Sequence, residues 1–189
     1  MELTIETCQR AIEAFGNLRE VLGGLSPPVL GLAGEILVWE QLLKLGIGFS
    51  PRGRQGKIDI RLTNGKGIEV RTARASDRPT GTRTWGWTVQ KRSKREAKGQ
   101  LYDFLICVAL DSTGDLKFPE FYILPSDLTN AFVDMPLIKR FQTVKKKLWL
   151  YESLDAFDAE KEKYPEHYNE IEEDVIRNRH LYQNWNLLR

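Results

Sequence analysis

The sequence predicts a three-layer α/β domain, a mixed central sheet flanked by helices, with a helical extension at the carboxy end. Three observations carry the prediction. Between Lys57 and Thr72 two short runs alternate apolar and charged residues about a turn. Tyr102 to Leu110 is a near-continuous apolar run, as expected of a strand covered on both faces. Ahead of both, two stretches repeat apolar residues at helical spacing. Residues 1–189 are expected to form a single domain with a core of about 25–151, preceded by an amino-terminal helix, 1–24, and followed by the extension, 152–189.

In chain order, Ile5, Cys8, Ile12, Phe15, Leu18 and Leu22 lie on one helical stripe that Gly23-Gly24 ends. Ser26-Pro27-Pro28 is expected to cap a second helix running to about Leu45 and stopping at Gly46. Within it, Gly31 to Trp39 is apolar or small at every position except Glu35. A carboxylate in such a stretch loses hydration on burial, so Glu35 needs a partner or a task.

A strand near Gly48 to Arg52 leads through Gly53–Gly56 into the hairpin Ile58-Asp59-Ile60-Arg61-Leu62, a turn over Thr63–Gly67, and Ile68-Glu69-Val70-Arg71. Ile58, Ile60, Leu62, Ile68 and Val70 must share one buried face, because a one-residue slip would expose half of them. A two-residue loop at Asn64-Gly65 would set Ile60 opposite Glu69, so the loop is expected to be odd, three or five residues long. The register inferred places Asp59 across from Arg71 and Arg61 across from Glu69. Two carboxylates and two guanidiniums then gather on one face. That face is either a charge ladder, each pair contributing roughly 0.2 to 1 kcal/mol, or a metal site with its cationic partner.

After Arg71 comes a polar, Arg-rich stretch to Thr84, then Trp85-Gly-Trp87, then a basic helical segment from Lys91 to Lys98. Asp111 to Gly114 supplies a turn, Phe118 to Leu124 a strand with Pro119 near its start, and Pro125-Ser126-Asp127 opens another helix. Lys145 to Tyr151 is an expected edge strand whose lysines discourage intermolecular pairing. From Ser153 to Leu188 the chain is helical and acidic, Pro165 starting its last helix, with Tyr164, Tyr168, Tyr182 and Trp185 expected to pack on the body or a second subunit.

Hydrophobic residues make up 41% and charged residues 29%, an ordinary balance for a folded domain. Cys8 and Cys107 suggest neither a disulfide framework nor a thiolate zinc site. With no signal-like start and no apolar run of membrane length, a cytoplasmic protein without membrane anchoring is expected. Gly31-Leu-Ala-Gly34 lacks the Lys-Ser/Thr of a phosphate-binding loop, and Gly53–Gly56 is too short for a dinucleotide fingerprint. His167 and His180 have no metal-ligand spacing. The net charge is +2, yet Arg52 to Lys98 holds 14 Lys or Arg against four Asp or Glu, while Glu152 to Asp174 holds ten acids against two lysines. Such asymmetry is either a solvated basic face or the footprint of a phosphate-binding surface.

The order of a helix bearing Glu35, Asp59 at a strand, Glu69-Val70-Arg71 in the next, a basic segment and the buried strand from Tyr102 resembles the PD-(D/E)XK nuclease superfamily, over about Gly31 to Leu124. The resemblance implies a restriction-endonuclease-like core and a Mg²⁺-dependent DNA endonuclease. Asp59 and Glu69 would bind the metal (Mn²⁺ a substitute), helped by the Val70 carbonyl, with Glu35 completing the set directly or through water. Arg71 stands where the family places its lysine; a guanidinium stays protonated and cannot serve as a base, though it can clamp a phosphate. Lys57, Arg74 or Lys91 are candidates for the missing cation. Arg52, Arg54, Lys57, Arg74, Arg78, Arg83, Lys91, Arg92, Lys94 and Arg95 would hold the backbone of double-stranded or branched DNA. Trp85 and Trp87 either stack on bases or fill the core. Cutting both strands implies a homodimer. The alternative is a nuclease-fold DNA-binding module in which Arg71 has impaired turnover.

Overall fold

A computed structural model of the chain describes residues 3–51, 58–78, 81–89, 102–134, 146–165 and 170–189. Helix α1, Ile5–Leu22, opens on a reciprocal cap in which Thr7 N–H donates to Thr4 Oγ1 (3.2 Å) and Thr4 N–H to Thr7 Oγ1 (2.9 Å). It ends where Gly23 takes φ 68°, a left-handed conformation that glycine adopts without strain. Helix α2, Pro27–Lys44, starts on prolines as expected, but Ser26 makes no side-chain cap bond. The helix start therefore relies on proline's fixed φ rather than on a side-chain cap.

The central sheet has five strands in the order β1 (Phe49–Pro51), β2 (Ile60–Leu62), β3 (Gly67–Arg74), β6 (Phe104–Leu110), β7 (Glu120–Pro125). Only β3 and β6 run parallel; the other neighbours are antiparallel, giving the mixed sheet expected. Every residue of β6 is buried, and the alternation of a strand sorts them into two cores. Phe104, Ile106, Val108 and Leu110 join Leu37, Leu42, Ile60, Ile68 and Val70 under α1 and α2. Leu105, Cys107 and Ala109 point the other way, into a core with Trp85, Trp87, Leu148 and Phe157.

That second core has a cover the sequence did not predict, a separate antiparallel sheet of β4 (Ser76–Asp77), β5 (Arg83–Val89) and β8 (Lys146–Tyr151). β8 is an edge strand, as expected, but of this second sheet. Trp85 and Trp87 alternate inward from β5, at 6% and 1% exposure, and their indole N–H groups donate to the carbonyls of Leu110 (2.6 Å) and Val108 (3.3 Å). Their place is thus the core, and base stacking by either is excluded. Helix α3, Ser126–Asp134, follows β7. The extension contains α4 (Leu154–Lys163), α5 (Glu170–Arg177), α6 (Arg179–Tyr182) and a short 3₁₀ helix, Trp185–Leu188. α5 begins at Glu170, and Pro165 precedes residues outside the described set, Tyr168 and His167 among them. Trp185 meets Phe121 edge-on at 5.3 Å between ring centres, closing the first core as its composition suggested.

Two contacts decide how the layers are spaced. A Cβ at Gly34 would lie 1.8 Å from Thr72 Oγ1, so the absence of a side chain on α2 is what lets the helix settle on β3. In the second sheet, Glu172 of α5 is 2% exposed and accepts from Trp149 N–H at 2.7 Å, while the Arg78 guanidinium lies 4.7 Å from the Trp149 ring centre and 3.8 Å from Glu160. Burial pushes the Glu172 carboxyl up to about 8, against the opposing pull of the Trp149 N–H and of Arg78.

Gly34→Ala should therefore cost about 1 to 3 kcal/mol in denaturant unfolding, and Thr72→Ala in the same chain should recover part of the loss. The raised pKa of Glu172 means that the neutral carboxyl is the form that stabilises the fold. Its contribution is full below the ordinary value of 4.5 and is lost as pH rises through about 8. Thermal midpoints followed across that range should fall less in Glu172→Gln than in the wild type.

Candidate functional site

The hairpin turns through an odd loop, of the shorter kind. Ile60 pairs with Ile68 and Arg61 with Gly67, Leu62 N–H donates to Lys66 O at 2.8 Å, and Gly65 supplies φ 86° within the three-residue turn. The parity expected from the apolar residues holds, but the cross-strand ion pairs do not. Arg61 faces Gly67, Asp59 turns its carboxylate to Val70 N–H rather than to Arg71, and the Arg61 guanidinium folds back to the Gly65 carbonyl. Three- and five-residue loops bury the same apolar face, and backbone turn geometry selects between them.

At Asp59 the regular ladder stops. Its amide donates to Ile68 O at 3.1 Å, and its carboxylate accepts Val70 N–H at 2.7 Å, taking the place of a strand partner. Gly67 O accepts from Asp103 N on the β6 side, whereas Ile68 O accepts from Asp59 on the β2 side. By alternation the main-chain groups of Val70 also face β2, so its carbonyl points toward the edge where Asp59 sits. Glu69, 7% exposed, forms an ion pair with Arg71, whose side chain is half exposed. Alternation along β3 puts both on the face turned to the second core, and Arg71 lies opposite Cys107 of β6. Burial holds that thiol well above its usual range, with Arg71 pulling the other way, so Cys107 is no thiolate nucleophile.

Glu35 reaches this group from α2. Its carboxyl is pushed up to about 7 by burial first, then by the fields of Asp59 and Glu69, while Arg71 pulls it down. Of the residues singled out in the sequence, Asp59, Glu69 and Arg71 thus all act on Glu35, and Glu69 is paired with Arg71. Glu40, five residues farther along α2, is the more deeply buried acid, but it is satisfied by Gln9 Nε2 at 3.0 Å and by Lys44 at 2.8 Å. Among the described residues no three His, Cys, Asp or Glu side chains stand close enough together to form a metal-holding group.

The structure also brings in Tyr102, which the sequence offered only as the first residue of an apolar run. Its hydroxyl lies 3.4 Å from Thr129 Oγ1 of α3, and Glu69 and Arg71 both act on it. The expected basic residues divide into groups. Arg74 donates to the Leu25 carbonyl and packs by Gly114, bracing two loops. Arg78 is engaged with Trp149 and Glu160, and Arg83 is exposed on β5. Arg52, Arg54, Lys57, Lys91, Arg92, Lys94 and Arg95 lie outside the described residues. Among the described residues no helix is long and apolar enough to cross a membrane.

No family model matches the chain, and no curated protein matches it. The solved structure of a bacterial homing endonuclease overlaps 63% of this chain and 84% of its own, at 18% identity and a TM-score of 0.40. An overlap that weak identifies neither an activity nor a substrate.

The raised pKa of Glu35 can be read directly. A carbon-detected NMR titration of its carboxyl in metal-free protein should show a midpoint near 7, and Asp59→Asn should lower that midpoint by removing one of the two raising fields.

Proposed function

We propose that the chain is a Mg²⁺-dependent DNA endonuclease whose site is built from Asp59, Glu69, the Val70 carbonyl and Glu35. The observation that carries the reading is the meeting of these groups: Asp59 caps Val70 N–H next to Glu69, Glu69 pairs with Arg71, and Glu35 of α2 lies within the fields of all three. A charge ladder would pair each acid with its own arginine; here Glu69 pairs with Arg71, Asp59 instead caps Val70 N–H, and Glu35 is raised by burial first and then by both carboxylates.

The donor set suits the ion. Mg²⁺ prefers oxygen and is held by one or two carboxylates while keeping several waters, so Asp59 and Glu69 suffice and Glu35 can act through water. When bound, Mg²⁺ would make a water more acidic and offset charge on the phosphate. The chain's own contribution begins with Arg71. Its ion pair with Glu69 keeps a guanidinium beside the centre, where an arriving phosphate can compete for it. Because Arg71 cannot accept a proton near neutral pH, Glu35, titrating near 7, is the group suited to receive one. Double-strand cutting would need two such centres and hence a homodimer.

The Glu69–Arg71 ion pair also supports a second reading, a DNA-binding module with impaired turnover, since the arginine both occupies a ligand and lacks basicity.

Plasmid nicking in Mg²⁺ or Mn²⁺ separates the two. An endonuclease should lose at least about 100-fold in rate on Asp59→Ala or Glu69→Ala, beyond the effect typical of outer ligands, with duplex binding retained. Arg71→Lys should raise the rate. Binding without any nicking in wild type or Arg71→Lys would establish the module instead.

A further inference from the structure

Among the described residues at the site, Tyr102 is the group that no ion pair or metal role uses. Its position is set by the start of β6. Asp103 N–H donates to Gly67 O at 2.8 Å and Gly67 N–H to the Asp103 carboxylate at 2.6 Å, so the residue that follows Tyr102 is tied to the first residue of β3, two positions before Glu69. The ring packs against the second core, on the face that Glu69 and Arg71 share. It remains partly exposed, and its hydroxyl has a long contact, 3.4 Å, to Thr129 Oγ1, which itself donates to Ser126 O at 3.0 Å. A neutral donor so weakly held, next to a buried carboxylate and a half-exposed guanidinium, has stronger work available than its bond to a threonine.

We propose that the Tyr102 hydroxyl donates a hydrogen bond to the same DNA phosphate that Arg71 engages, making Tyr102 a substrate-binding residue. The assignment rests on the phosphodiester reading of the site. Burial holds the phenol above its ordinary value, so it stays a donor at every working pH, and a neutral donor fits beside Glu69 where a second anion would not. Donation to a charged phosphate oxygen is stronger than donation to another hydroxyl, so exchanging Thr129 for phosphate is favourable.

The test is metal-free binding of a fluorescein-labelled DNA duplex in EDTA, across a salt series, with nicking in Mg²⁺ measured in parallel. Tyr102→Phe should weaken binding by roughly tenfold and leave the slope of log affinity against log salt unchanged, because no charge is lost. Arg71→Gln should lower that slope by about 0.9. Unchanged affinity in Tyr102→Phe overturns the assignment, as does a weakened affinity with a lowered salt slope, which would report general damage to the charged surface. If Tyr102→Phe does not fold, Thr129→Val decides: freeing the phenol should keep or tighten binding, and weaker binding contradicts a phosphate contact. A wild type that binds but never nicks overturns hydrolysis while the Tyr102 assignment stands on its binding loss. A wild type that does not bind duplex at all overturns both.

Discussion

The parallel pairing of β3 with β6 is the constraint on which the rest of the structure depends. Strand β6 is apolar at every position and must be covered on both sides, so it divides the domain into two cores and sets the orientation of whatever strand lies against it. Once Ile68 and Val70 commit to the first core, Glu69 and Arg71 have no choice but the opposite face. Gly34 enforces the same constraint from the helix side, since only a residue without a side chain lets α2 approach β3 at Thr72 and carry Glu35 to the hairpin. The charged group is therefore held in place by apolar packing around it.

Holding three carboxylates and one guanidinium in such a setting is costly. Ionised groups lose water there and acids repel one another, which is why Glu35 is driven toward neutrality; Glu40, farther along the same helix, is held by Gln9 and Lys44. A protein that needed the hairpin only as scaffold would gain from replacing these residues with neutral ones. The departure from regular pairing is concentrated where Asp59 leaves the ladder and caps Val70 N–H.

Much of this was legible in the sequence because it depended on periodicity. Both long helices, the covered strand and the hairpin parity follow from spacing of apolar residues, a local signal, whereas setting Glu35 beside Asp59, Glu69 and Arg71 came only from the resemblance. The second sheet was not. Strand β4 is two residues, Ser76–Asp77, and β5 pairs with β8 across a distant stretch of chain, leaving no local trace. Alternation of Trp85, Trp87 and Val89 was present, but indoles in a basic stretch suit stacking as well as burial until the carbonyls of Leu110 and Val108 are known to accept their N–H groups. Loop length within the hairpin was undecided by parity, which is the same for three residues and five. Tyr102 and Glu172 were hidden for a related reason: one is a single polar tip in an apolar run, the other a single acid among many, and only tertiary neighbours distinguish them.

Asp59 and Glu69, with Glu35 beside them, are proposed to share one divalent ion. Paramagnetic broadening tests this without reference to cleavage: Mn²⁺ is added to protein carrying carbon-13 in its Asp and Glu carboxyls. Selective broadening of Asp59, Glu69 and Glu35 at ion levels that leave the acids of α4 and α5 sharp is the result expected. Broadening spread over the acidic carboxy-terminal helices, with the hairpin carboxyls spared, would contradict it.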